Sequence, residues 1–202
     1  MTSADEFQPL SDFVFIWSVY QPECKCETGS TAIRAAGGLV VIDPIPLAAP
    51  AWAELLAFAP LRAVLLTNGN HVRHARQLRE KHHVPVVTAP ATRKDIDELK
   101  PDVVLLENEL LYGIAAIPIP GATAGETAFH SREAGTVVVG DAMINLDVAR
   151  GLEFLPDKYC TDAAANRVSL RKLLALDFHT VTFAHGTPLT TRAHEKLAAL
   201  LA

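Results

Sequence analysis

The amino-acid sequence predicts an α/β protein folded as one layered domain. Three observations carry that prediction: apolar strands alternate with helices along the chain, the strands end in polar residues, and the two halves repeat one pattern. Phe13-Val-Phe-Ile-Trp17 is aromatic and β-branched and reads as the first strand. The second, Thr31 to Ala35, is entered through Gly29-Ser30, and Gly37-Gly38 turns the chain after it. Leu39-Val-Val-Ile42 is apolar on both faces, as a fully buried strand is, and delivers Asp43 to its C-terminal edge. A helix over 50–58 starts with Pro50 in its first turn and puts Trp52, Leu55, Leu56 and Ala59 on one face. A buried strand at Ala63 to Leu66, a helix over 71–81, a strand at Val84 to Val87, a short helix near 92–99 and a strand at Val103 to Leu106 complete the first half.

The second half runs through strands at Ile114 to Ile119 and Thr136 to Val139, a helix over 162–176, a strand at Thr180 to Phe183 and a last helix over 191–201. Gly38-Leu-Val-Val-Ile-Asp43 is mirrored by Gly135-Thr-Val-Val-Val-Gly-Asp141, which suggests pseudo-symmetric halves of about 1–113 and 114–202. No linker or low-complexity stretch separates them, so a single domain over 1–202 is expected.

Composition narrows the function. Of 202 residues 50% are hydrophobic and 20% charged, which is globular rather than disordered. A formal net charge of −5 offers no basic footprint for phosphates, so the expected partner is a small-molecule substrate or ligand and not nucleic acid. The most apolar stretch, Leu39 to Leu66, is broken by Asp43, Glu54, Arg62 and four prolines, which excludes a membrane span there. Acidic residues in Met1 to Glu6 and only 3 cysteines point to a cytoplasmic, reducing setting; the sequence carries no signal for oligomeric state. Cys24, Cys26 and Cys160 read as free thiols, because a structural zinc needs four ligands.

The chemistry-bearing residues stand at four strand ends: Thr67-Asn68-Gly-Asn-His71-Val-Arg73-His74, Pro120-Gly-Ala-Thr123, Gly140-Asp141-Ala-Met143 and Ala184-His185-Gly186. His71 and His74 lie one helical turn apart and face one point if the helix has begun, while Asp141 and His185 are donors that zinc, iron or manganese accept. His130, His179 and His194 have no partner at ligand spacing and read as surface or satisfied residues, and the basic run Arg73 to His83 reads as the solvated face of a helix.

In order and content these strand ends resemble the metallo-β-lactamase-fold hydrolases, from about Phe13 to Ala202. That family reads Thr-His-x-His-x-Asp-His, Pro-Gly-His-Thr, Gly-Asp-Ala and Gly-His-Gly; this chain keeps Ile42-Asp43, Leu65-Leu66-Thr67, Pro120-Gly121 with Thr123 and Gly125, Gly140-Asp141-Ala142 and His185-Gly186. The resemblance implies a four-layer αβ/βα sandwich, two mixed β-sheets flanked by helices. It also implies a hydrolase in which metal-bound water attacks an ester, thioester, lactam or phosphodiester.

The metal motif departs from the family pattern. With Thr67 held in register the four motif ligands fall on Asn68, Asn70, Val72 and Arg73; with one residue inserted they fall on Gly69, His71, Arg73 and His74, the register adopted because it keeps two histidines. The histidine of Pro-Gly-His-Thr is Ala122 in either register. The resemblance therefore implies at most one divalent metal, zinc before iron or manganese, on His71, His74, Asp141 and His185. Asp141 would orient the hydroxide, and His71 or Asn68 would donate to the developing oxyanion. Arg73 needs an anionic partner. If that partner is Asp141, the alternative is a metal-free, non-catalytic member of the fold that binds an anionic ligand or partner protein through an Arg73/Asp141 cleft; the other candidate is a substrate carboxylate or phosphate. The segment Leu152 to Cys160 is expected at the pocket rim.

Overall fold

Leu39-Val-Val-Ile42 has no polar side chain, and it lies inside a sheet covered on both faces: Leu39 and Val41 pack into one core cluster, Val40 and Ile42 into another. The structure, a computed structural model, describes residues 2–23, 25–93, 96, 99–107 and 109–202. Its first sheet has seven strands in sequence order. They are β1 (Gln8–Pro9), β2 (Val14–Gln21), β3 (Cys26–Ala35), β4 (Gly38–Ile42), β5 (Leu61–Leu66), β6 (Val86–Thr88) and β7 (Val103–Val104). β1 to β4 pair antiparallel and β4 to β7 parallel.

The second sheet is built from β8 (Leu110–Leu111), β9 (Ile114–Pro118), β10 (Thr127–Ser131), β11 (Thr136–Val139) and, after a small hairpin of β12 (Met143–Ile144) and β13 (Glu153–Phe154), β14 (Thr180–Phe183). Its order is β14-β11-β10-β9-β8, with β11 and β14 parallel. The two large sheets face each other across Val14, Ile33, Val40, Ile42 and Leu65 on one side and Ile114, Ala116, Phe129 and Val138 on the other. On the outer face of the first sheet lie α1 (Ala49–Phe58), with Trp52 and Leu55 inward, and α2 (Ala75–His82), with Ala75 and Leu78 inward. After α3 (Pro90–Arg93), the outer face of the second sheet takes α4 (Ala163–Leu170) and α5 (Ala193–Leu200) through Leu170 and Leu197. The layers are helix, sheet, sheet, helix.

Several elements differ from expectation. The helix expected over 71–81 begins only at Ala75: Gly69–His71 is a 3₁₀ turn, and Arg73 has φ 39, a left-handed conformation that no α-helix continues through. The strand expected at Val84 starts at Val86, because Pro85 cannot donate to a ladder. Val103 to Leu106 keeps only two strand residues, and the helix over 162–176 splits into α4 and a 3₁₀ turn, Arg171–Ala175. Of the short helix near 92–99 only its start falls in α3, and residues 94, 95, 97 and 98 lie outside the described residues. β10, sequence Thr-Ala-Phe-His-Ser, was not anticipated: its polar residues break the apolar run, yet all five are buried between β9 and β11. Among the described residues no helix is long and apolar enough to cross a membrane.

Candidate active site

The site forms where strand ends from both sheets meet. Asp43 follows directly on β4, buried and left-handed at φ 50, and its carboxylate accepts from the Thr67 amide at 2.8 Å and the Thr67 hydroxyl at 2.6 Å. The 3₁₀ turn after β5 then brings the His71 ring back onto the same pair. Its Nδ1 lies 2.9 Å from Asp43 Oδ2 and 2.8 Å from Thr67 Oγ1, so Nδ1 carries the hydrogen and Nε2 faces away from the strand. That Nε2 stands 3.4 Å from Asp141 Oδ1, at the end of β11.

His185, after β14, repeats the arrangement. Nδ1 donates to the Glu27 carbonyl at 3.0 Å, and Nε2 stands 3.4 Å from the same Asp141 Oδ1. The ligand atoms of His71, Asp141 and His185 lie within 4.8 Å of one another. Two imidazoles with tethered Nδ1 atoms and Nε2 atoms converging on a carboxylate fit a divalent metal, since a ligating histidine uses its second nitrogen to fix tautomer and ring orientation.

The other oxygen of Asp141 is held from behind. Asn68 Nδ2 donates to Asp141 Oδ2 at 3.0 Å and to Glu126 Oε2 at 2.7 Å. Glu126 also accepts from the Thr123 hydroxyl at 3.0 Å and from the amides of Asp141 and Ala142 at 3.0 and 3.3 Å. The packing requires glycine at 140, where a Cβ would lie 2.3 Å from Thr67 Oγ1 and 2.7 Å from Glu126 Oε1.

The charges are interdependent. Burial and the Arg73 charge both push His71 toward neutrality, but Asp43 and Asp141 on either side outweigh them and raise its pKa to about 9. Burial also opposes the charges of Asp43 and Asp141; His71 holds Asp43 below the usual carboxylate range, and His71 with His185 holds Asp141 below it. Glu126 moves the other way, to about 7, through burial and then the neighbouring Asp141 charge.

Three of the four expected metal residues, His71, Asp141 and His185, come together, and His74 does not. Because no α-helix connects 71 to 74, the two histidines do not share a face; His74 stands at the N-cap of α2, its amide on the Pro44 carbonyl at 2.9 Å. Asn68, expected on the substrate, is buried and turned onto the two carboxylates. Arg73 does not take Asp141 as its ion-pair partner: its Nη1 donates to the carbonyls of Gly29 at 2.8 Å and Asp43 at 3.1 Å, while the ion pairs of Asp141 run to His71 and His185. Ala122 is fully buried, and its carbonyl accepts from the amide and hydroxyl of Thr161 at 2.8 and 2.9 Å. Cys24 lies outside the described residues; Cys160 is a free thiol, and Cys26 Sγ is 3.4 Å from His185 Nδ1.

Sequence reasoning passed over Glu126. Its one signal was position, directly after Gly125 in the Pro-Gly loop, and a lone glutamate there does not announce that it is buried. The triad opens into a cleft of ≈ 960 Å³ between the turn joining β2 to β3 and the segment around β12 and β13.

A sandwich of this kind, with histidines and an aspartate converging at the strand ends, defines a class of hydrolase folds. The family model described as Metallo-beta-lactamase superfamily matches residues 10–202, and the chain belongs to that superfamily. A curated relative, hydroxyacylglutathione hydrolase from Cereibacter sphaeroides, is 31% identical over 155 residues, which are 73% of this chain and 57% of that enzyme. This chain therefore spans little more than half the length of that relative. Among solved structures, a metallo-beta-lactamase from Pontibacter korlensis superposes with TM-score 0.76 at 17% identity, covering 97% of this chain and 98% of the other. One from Erythrobacter litoralis gives TM-score 0.76 at 15% identity over 96% and 95%. At such identities the likeness is one of fold.

Proposed function

We propose that this protein is a hydrolase working with one divalent metal ion, zinc by its donor set, held by His71, Asp141 and His185. The observation that carries this reading is the convergence of two tethered imidazoles, Nε2 first, on one oxygen of Asp141. Such an ion supplies Lewis acidity, polarising a carbonyl or phosphoryl oxygen and lowering the pKa of water toward about 7. The chain's own contributions are distinct. Asp43 and Thr67 fix the His71 ring, Glu27 fixes His185, and the Asn68–Glu126 pair holds Asp141 Oδ2 so that Oδ1 alone faces the histidines. Asp141 Oδ1, set between the two imidazoles, is the atom placed to accept a hydrogen bond from the attacking water and orient it. With Ala122 where the family carries a histidine and three donors converging on one point, one ion per chain is expected. Substrates in this reading are esters, thioesters, lactams or phosphodiesters.

A second reading, a metal-free binding protein, is favoured by the charges of the cluster: a His71 imidazolium between Asp43 and Asp141, with the Arg73 guanidinium beside Asp43, offsets the two carboxylates without a metal. Elemental analysis separates the two. The hydrolase reading expects about one equivalent of zinc per chain after loading and dialysis, abolished in His185→Ala. Less than about a tenth of an equivalent in the parent would establish the metal-free reading instead.

A further inference from the structure

The two walls of the cleft differ in chemistry. On one side stand Glu23 and Lys25 of the turn between β2 and β3, with Cys26 at the start of β3; on the other stand Ile144, Leu146, Leu155, Pro156 and Tyr159. Leu146 is 47% exposed and Tyr159 58%, so two large apolar side chains of this wall are left in water beside the triad. Isolated exposed apolar residues need no explanation, but a group of them lining a concave site marks where a ligand's apolar surface is received.

This wall is also positioned relative to the triad. β12 leaves Asp141 after one intervening residue, and β13 returns beside it through Met143 opposite Phe154 and Ile144 opposite Glu153. Asn145 then ties the hairpin to the His185 loop: its amide Nδ2 donates to the Thr187 carbonyl at 2.6 Å, and the Thr187 amide donates to the Asn145 carbonyl at 2.9 Å. The loop approaches so closely that a Cβ on Gly186, at φ 105, would lie 2.3 Å from the Asn145 carbonyl oxygen. Leu146 thus follows directly on a residue locked to the His185 loop.

From this we infer that the substrate is a carboxylic ester or thioester with a medium-length apolar acyl chain. The chain lies along Ile144, Leu146, Leu155 and Tyr159, and the alcohol or thiol part sits under the polar turn. The inference rests on the hydrolase reading and deepens it. In the reaction water adds to the acyl carbon and the carbon–oxygen or carbon–sulfur bond breaks. The acid keeps the water oxygen, and the leaving alcohol or thiol takes a water proton. A cleft of ≈ 960 Å³ is far larger than an acetyl group needs, and the wall would reward each added methylene.

Two measurements test this on the full chain. Zinc-loaded protein is assayed on p-nitrophenyl esters and on N-acetylcysteamine thioesters from acetyl to decanoyl; kcat/KM should rise about twofold to fourfold per methylene. The double variant Leu146→Asp, Tyr159→Ser, made at exposed positions, should flatten that slope. Separately, metal-free protein is titrated with acetate through decanoate against anilinonaphthalene sulfonate, and displacement should strengthen with chain length in the parent and not in the variant. Chain-length-dependent displacement without hydrolysis would defeat the hydrolase reading while upholding the apolar wall. Equal displacement by acetate and decanoate, or a slope that the variant leaves intact, overturns the inference whatever the hydrolytic activity.

Discussion

Raising the pH should destabilise the metal-free protein in a window set by His71. Folding raises the pKa of this imidazole from 6.5 to about 9. A raised folded pKa means the native state binds the proton more tightly. The stabilisation is therefore complete below about 6.5 and disappears as pH climbs through about 9. A difference of some 2.5 units corresponds to about 3 kcal/mol, and the group is buried enough for that figure to need little discount for screening. For a chain of this length it amounts to a melting-temperature fall of about 6–12 °C. Glu126, raised to about 7, also loses stabilisation with rising pH, but its window lies lower, from about 4.5 to 7. Differential scanning fluorimetry of chelator-treated protein from pH 6.5 to 9.5 measures the effect, and His71→Gln should remove most of the slope above pH 7. Zinc-saturated protein should show the opposite trend, because the metal and the His71 proton compete for Nε2. A flat profile in the metal-free parent, or an undiminished slope in His71→Gln, would refute the assignment of charge to this cluster.

Other expectations follow from the same contacts. Asp43→Asn leaves a group of similar shape but weakens the hold on the His71 Nδ1 hydrogen, and should lower zinc affinity about 10–100-fold in calorimetric titration. His74→Ala should leave zinc stoichiometry and affinity unchanged, since His74 stands apart from the triad; a lost equivalent would return it to the ligand set. Gly140→Ala places a methyl group against Thr67 Oγ1 and Glu126 Oε1 and should cost about 1–3 kcal/mol in urea unfolding.

Much of the fold was legible because its central strands are apolar on both faces and end in turn residues or carboxylates, as Leu39 to Asp43 and Thr136 to Asp141 do. β10 was not, because its burial comes from two neighbouring strands and leaves no period in its own sequence. At the site, Asp141 and His185 were readable as strand-end donors. His74 was grouped with His71 as a ligand on the expectation that the helix had begun there, which the left-handed Arg73 prevents; its guanidinium donates to the Gly29 and Asp43 carbonyls, distant in sequence. Glu126 was hidden for the same reason: apart from Thr123, its partners Asn68, Asp141 and Ala142 are distant in the chain.

Asp43, Thr67, Asn68 and His71 belong to the end of the first sheet, and Glu126, Asp141 and His185 to the end of the second. Neither half alone holds a complete set of donors, so the triad comes into being only when the two sheets have docked across their shared core. Occupancy of the site would then report on completed assembly of the whole chain: metal uptake during refolding should trail the formation of secondary structure and coincide with the final closure of the sandwich.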